Sequence, residues 1–382
     1  MLCFLYITGM LVLYRQEGIM MKKILVVITT GFVSWGGLTT VMMNYYRQMD
    51  LQGIRIDFAA DNIPDEIVLD EIYSKGSKYY KLSDRKKNIF LYMSNLYNIL
   101  KKEKYNVIHI NGNSSTMAFE LIISYLVGVK KRIVHVHTTQ NMHPALNRIL
   151  NPIMKYLMTD AIAVSSEAGK KLYGNKNFIV LNNAVNLERY AFNQEARCMF
   201  RTERNIGDFF IAGCVAKLYP VKNHKFLIRV FKELVLKYPN IKLLLVGDGI
   251  LKDDIQNEIN NMGLQKNIIL TGMLHNVQVA LSAMDLFLLP SFYEGMPLAL
   301  VEAQANGLCC IASSNITKDA NVTGLVKYLD LDKGIWVKEI EKNIEKKLDR
   351  IKQSQINCKK IRAKGFDIVK EAGKLRQIYN AK

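Results

Sequence analysis

Residues 286–303 read LFLLPSFYEGMPLALVEA, and the architecture follows from this stretch. Residues 286–289 are an uninterrupted apolar run, the signature of a strand buried on both faces. Pro290 to Tyr293 break the run, Glu294 and Gly295 occupy a loop, and a helix begins near Met296 or Pro297, where proline suits the first turn. A buried strand passing directly into a helix is the unit from which parallel sheets with crossover helices are built. Ligands of such sheets bind at the carboxyl ends of the strands. Two carboxylates mark that end. Glu294 and Glu302 stand eight residues apart, about 12 Å at helical rise. Leu298, Ala299, Leu300, Val301, Ala303 and Ala305 make the helix otherwise apolar, so Glu302 does not read as a solvated surface charge.

Outward from this unit the same alternation fills the chain. Strands are read at 209–215, 242–246, 268–271, 286–289 and 308–312, with helices at 224–237, 251–262, 277–283 and 298–305. An earlier series has strands at 24–29, 55–59, 107–110, 132–137, 161–164 and 178–181, and helices at 38–49, 89–102, 115–127 and 145–158. Residues 190–208, polar and without either periodicity, separate the two. A chain of 382 residues exceeds one ordinary core, and 49% hydrophobic with 23% charged residues excludes a disordered or collagen-like chain. The expected fold is α/β, with two doubly wound, Rossmann-like lobes facing a central cleft. The first lobe is placed at 21–190, the second at 191–352, and a C-terminal helix at 353–382, packing back on the first lobe. The basic tail from 337 reads as one or two helices. Residues 1–20 read as an upstream extension, with a weak interfacial anchor as the alternative: their apolar stretch is shorter than the roughly 20 residues of a membrane helix.

The net charge is +18, and it is uneven: 23 basic against 14 acidic residues over 1–190, 15 against 14 over 191–337, and 14 against 6 over 338–382. Such surfaces attract phosphates, whether of nucleotides or of an anionic membrane face. Nucleic acid is excluded as a partner, because no recognition motif accompanies the charge. Cys3, Cys198, Cys214, Cys309, Cys310 and Cys358 form no CxxC pair, pointing to neither zinc nor a disulfide framework and to a reduced, cytoplasmic setting.

Other loops at strand ends carry chemistry of the same kind. Gly36 and Gly37, before the first helix, either form a turn or bring backbone N–H groups to a diphosphate; the loop is not GxGxxG, so a dehydrogenase fold is not indicated. In GCVAKLYPVKNH, 213–224, Lys217 and Lys222 are held in a loop stiffened by Pro220, able to neutralise a leaving diphosphate. Gly247 and Gly272 end two further strands. Asp330-Leu331-Asp332 has the form of a metal-binding DxD but reads as a solvated loop.

Taken together these residues resemble the retaining, metal-independent GT-B glycosyltransferases of family 4. The resemblance runs from Met21 to Lys382 and rests on the Glu-x7-Glu pair Glu294 and Glu302, AKLYPVKNH, VGDG and LNNAVNLERY. It is similar to the EpsF-type subgroup that builds capsular and exopolysaccharide repeat units, which shares KNH, the EGxPxxLVEAQ stretch and a terminal GFDI-like helix. The resemblance implies transfer of a hexosyl unit from a nucleotide-sugar, a UDP-sugar, to a saccharide or lipid-linked saccharide acceptor. In that reading Lys217 and Lys222 hold the donor diphosphate, Glu294 touches the donor sugar, and Glu302 binds the ribose. Gly295, Met296, Pro297 and Leu298 present the helix start to the donor, and His137 reaches the sugar from the first lobe. His109 and His135 are expected to be packed. Lys217 stands where most members have arginine and lacks its bidentate fork. No metal or cofactor is called for, the nucleotide-sugar being a substrate. The alternatives are a two-lobed nucleotide-sugar epimerase and an inactive nucleotide-sugar binding protein. The amphipathic segments 85–104 and 147–158 suggest peripheral docking on the inner face of the cell membrane.

Overall fold

The computed structural model describes residues 21–33, 36–138, 144–346 and 348–381. The extension read at 1–20 lies outside the described residues, as do Ser34 and Trp35 beside Gly36. The first lobe is a seven-stranded sheet of β1 (Lys22–Ile28), β2 (Ile54–Ala60), β3 (Tyr79–Lys81), β4 (Val107–Gly112), β5 (Lys131–Val136), β6 (Asp160–Ala163) and β7 (Ile179–Val180). Their order is β3-β2-β1-β4-β5-β6-β7, every pair parallel. Its helices are α1 (Gly37–Gln48), α2 (Glu66–Ser74), α3 (Ile89–Glu103), α4 (Ala118–Leu126), α5 (Pro144–Leu157) and α6 (Ser166–Tyr173). Period-two alternation along β1 feeds two cores: Ile24, Val26 and Ile28 enter one, Leu25 and Val27 the other.

A short helix, α7 (Leu187–Tyr190), and α8 (Gln194–Glu203) lead into the second lobe. Its six strands are β8 (Phe210–Val215), β9 (Ile241–Val246), β10 (Ile268–Leu270), β11 (Leu286–Leu289), β12 (Cys309–Ser313) and β13 (Val326–Leu329), parallel in the order β10-β9-β8-β11-β12-β13. The helices are α9 (His224–Lys237), α10 (Lys252–Asn261), α11 (Val277–Ala283), α12 (Leu298–Ala305), α13 (Lys333–Ile344) and α14 (Arg350–Ala363). The last helix, α15 (Ile368–Asn380), crosses back. Ile368, Ala372, Leu375, Ile378 and Tyr379 join the core that holds Ile24 and Val26, against α1. The tail from 337 therefore divides: α14 stays on the second lobe against α12, and α15 alone reaches the first.

The chain passes between lobes twice, and the two passages are tied together. Val185 N–H donates to the Phe366 carbonyl at 3.0 Å and Ile368 N–H to the Val185 carbonyl at 3.1 Å; Asn182 Nδ2 donates to the Gly365 carbonyl at 3.0 Å. Several elements differ from the sequence expectation. Residues 190–208 contain helix α8, which is fastened by guanidinium groups: Arg197 and Arg201 each donate to Asp285 at 2.6 Å and to carbonyls of the 282–284 segment. An apolar stripe is not what buries it, so periodicity could not find it. Residues 115–127 split into a 3-10 turn, Ser115–Met117, and α4. Asp332 caps α13 by accepting from Ile335 N–H at 2.8 Å, and the Asp330 carboxylate accepts from Ser314. No helix among the described residues is long and apolar enough to cross a membrane.

Candidate functional site

The loops that follow β8 and β11 meet at the carboxyl edge of the second sheet. Lys222 ends a 3-10 turn, Pro220–Lys222, and its ammonium donates to Glu294 Oε1; Ser291 Oγ donates to the same oxygen at 2.8 Å. The pair is mostly covered, and Glu294 also bridges Ile316 through its backbone. Lys217 is half-buried beside them, its pKa drawn down by desolvation and then by Lys222. Both lysines and Glu294 thus belong to one cluster, although the lysines come from a segment about seventy residues earlier. Gly247 has a stricter role than an exposed turn: at φ 147°, a Cβ there would lie 2.0 Å from the Ala216 carbonyl oxygen. The turn after β9 therefore packs onto the loop that carries Lys217, and Leu218 N–H donates to the Asp248 carbonyl at 3.0 Å. Gly272, at φ 70°, accepts from Gly247 N–H and has open space around it.

Helix α12 starts after Pro297 with no side-chain cap, which leaves its first N–H groups as donors for an anion. Gly295 is exposed just ahead of it, while Met296 and Leu298 pack against the apolar cluster that includes Val185 and Ile361. Glu302, on the same helix, is only 7% exposed. Burial raises its pKa to about 7, against the opposing pull of a Tyr190 hydrogen bond and the Arg189 charge. It lines a cavity of about 370 Å³ between the lobes, shared with Thr40, Asn44 and Arg47 of α1, Arg189, Tyr190 and His275. Sequence reading missed these partners. Tyr190 lay in the quoted LNNAVNLERY, but Arg47 had no signal beyond a helical surface position.

His137 follows β5 on the first lobe. Asn111 of β4 donates its Nδ2 to the His109 carbonyl at 3.2 Å, so its Oδ1 faces His137 Nε2 at 3.0 Å. Nε2 must therefore carry the proton, and Nδ1 is a buried acceptor without a partner. Burial lowers the His137 pKa to about 3, which keeps the ring neutral. Behind it stand His135, with ring centroids 4.0 Å apart, and His109, whose Nδ1 meets the Tyr379 hydroxyl at 2.8 Å. Burial holds both of these rings neutral, reinforced by their histidine neighbours. Asn111 is thus a positioning residue, fixing the His137 tautomer. Gly36 and Gly37 begin α1 without a side-chain cap; Gly37 is exposed, and a Cβ there would meet nothing within 4 Å. Among the described residues no group of three His, Cys, Asp or Glu is placed to hold a metal ion.

Two parallel-sheet lobes facing each other, with cationic and glycine loops at the strand ends, define the GT-B class. The family described as Glycosyltransferase Family 4 matches residues 35–189 and that described as Glycosyl transferases group 1 matches residues 199–367, one on each lobe. EpsF of Bacillus subtilis (strain 168) is 29% identical over 367 residues, covering 90% of this chain and 93% of that protein. The UDP-Gal:alpha-D-GlcNAc-diphosphoundecaprenol alpha-1,3-galactosyltransferase of Escherichia coli is 29% identical over 306 residues, 74% of this chain and 77% of its own. The crystal structure of Anabaena HepE in complex with UDP superposes with a TM-score of 0.75 at 17% identity, over 94% of this chain and 99% of that one. The chain belongs to the GT-B glycosyltransferases of the family 4 type.

Proposed function

We propose that this glycosyltransferase moves a hexosyl unit from a UDP-sugar to a lipid-linked saccharide in the assembly of a bacterial surface polysaccharide, with retention at the anomeric carbon. The observation that carries this reading is the pair of carboxylates in contrasting settings. Glu294 is ion-paired with Lys222 at the open loop, and Glu302 is buried beside Tyr190 in the inter-lobe cavity. Glu302 accepts from the ribose diol, Lys217 and Lys222 with the start of α12 face the diphosphate, and Glu294 and the free Nδ1 of His137 meet sugar hydroxyls. The bond from the anomeric carbon to the diphosphate oxygen breaks and a bond to the acceptor oxygen forms on the same face. The acceptor proton passes to the departing phosphate, and UDP leaves. Glu294 is engaged by Lys222 and Ser291, which suits it to holding the sugar more than to covalent attack. With this positive charge supplied by the chain, turnover needs no divalent ion. The names of the Escherichia coli galactosyltransferase and of the UDP-bound HepE structure favour UDP and a diphosphate-linked acceptor.

The work is done at the inner face of the cell membrane, with basic and apolar first-lobe surfaces such as α5 turned toward it. UDP-release assays with membrane-extracted acceptor, across a panel of UDP-sugars and with and without EDTA, identify the donor. In them Glu294→Gln should lose transfer by at least about a hundredfold while still binding UDP. Glu302→Ala should chiefly weaken UDP binding. The reverse pattern overturns these roles, and donor epimerised without acceptor overturns transfer.

A further inference from the structure

A second cavity, of about 430 Å³, lies on the first lobe at the carboxyl ends of β4 and β5, between α5 and α6. Val136 and Thr138, which flank His137, form its inner wall. Its rim carries Arg148 and Lys155 of α5 and Lys171 of α6, and its lining among the described residues includes no carboxylate. None of the three cations is in an ion pair among the described residues, and nearby Lys176 donates to the Lys155 carbonyl. Asn113 sits at the same wall with its side-chain oxygen buried and unpartnered. Asn147 and Asn151 fasten α5 to this wall, accepting from Ser115 N–H at 2.8 Å and donating to Ser115 Oγ at 3.0 Å. The cavity is therefore a fixed feature with excess positive charge.

The adjoining face of α5 is apolar and exposed. Leu146, Ile149, Ile153 and Tyr156 follow one another at helical spacing, and Ile149 and Tyr156 are 67% and 81% exposed. A cationic pocket beside an apolar stripe complements an amphiphile with an anionic head. Neither a free sugar nor a nucleotide would use both.

We propose that this cavity binds the diphosphate of an isoprenoid-diphosphate-linked acceptor through Arg148, Lys155 and Lys171, with the isoprenoid laid on Leu146, Ile149, Ile153 and Tyr156. The acceptor saccharide then extends past Asn113 toward His137. The inference rests on the lipid-linked acceptor proposed above and gives that acceptor a site separate from the donor's diphosphate.

Binding is measured on full-length protein saturated with UDP, which occupies the donor site. The probes are geranylgeranyl diphosphate, geranylgeraniol and inorganic diphosphate. The wild type should bind geranylgeranyl diphosphate more tightly than either part. Arg148→Ala/Lys155→Ala/Lys171→Ala should weaken that binding about tenfold or more, while UDP affinity reports that the fold is intact. Ile149→Ser/Ile153→Ser/Tyr156→Ser should weaken geranylgeranyl diphosphate but not inorganic diphosphate. Equal affinity of wild type and triple-alanine variant for geranylgeranyl diphosphate overturns the site. UDP release with a lipid-linked acceptor, read separately, judges the proposed reaction: release that persists while the probe is not bound at these residues removes the site alone, and release seen only with phosphate-free soluble saccharides removes the acceptor reading as well.

Discussion

At the scale of single residues, Glu302 gives the clearest consequence of burial. Its pKa rises from 4.5 to about 7 because the carboxylate is desolvated, so the folded protein holds that proton more tightly than the unfolded chain. The associated stability is fully present below pH 4.5 and is lost as pH rises to about 7. Glu302→Gln does not titrate, so it should match the wild type in acid and exceed it above pH 7 by on the order of 3 kcal/mol. Thermal melting of both proteins from acid to mild alkali checks this; a constant difference would contradict it. The same proton bears on the ligand, since the ionised form is the better acceptor for a diol. UDP affinity should therefore strengthen more steeply as pH rises toward 7 in the wild type than in Glu302→Gln, where the terminal phosphate of UDP still titrates but residue 302 does not. Glu302 stood out in the sequence as a charge on an otherwise apolar helix, whereas His137 was singled out through the family resemblance alone. Asn111 was not, because its bond to His137 depends on β4 and β5 lying side by side, with Asn111 opposite His135.

At the scale of elements, the site is made by loops that brace one another. The turn after β9 presses on the loop after β8, and Gly247 has no room for a side chain against Ala216. Gly247→Ala should cost about 2–4 kcal/mol by urea denaturation, combining an unfavourable φ with a backbone clash. Gly272→Ala, with the same positive-φ penalty but open space around it, should cost about 1 kcal/mol; equal costs would show that the packing of the two loops does not matter. Strand β11 and helix α12 could be read directly from 286–303, since an apolar run and an apolar helix are local signals. Helix α8 could not, because Arg197 and Arg201 find their partners at Asp285 and the end of α11, some ninety residues away. The edge strands β3, Tyr79-Tyr80-Lys81, and β13, Val326-Lys327-Tyr328-Leu329, were not legible because half-exposed and charged side chains interrupt the apolar run that marks a strand such as β11.

At the scale of the whole molecule, two lobes are joined by two hydrogen-bonded passages and by α15, which completes the first lobe's core from the far end of the chain. The basic first lobe and the nearly neutral 191–337 segment divide the labour in the proposed reaction: acceptor on one side, donor on the other. Two-lobed organisation was plain from the doubled strand-helix series; the return of α15 was expected, whereas the placement of α14 on the second lobe rests on contacts with α12 that no local pattern announces. The central claim is that a nucleotide diphosphate bridges the carboxyl edges of the two sheets, and a crystal structure of the full-length protein with bound UDP tests it most directly. The account predicts the ribose hydroxyls within about 3 Å of the Glu302 carboxylate and the diphosphate between Lys217, Lys222 and the start of α12. UDP bound elsewhere, or a Glu302 carboxylate turned away from the ribose, would contradict it.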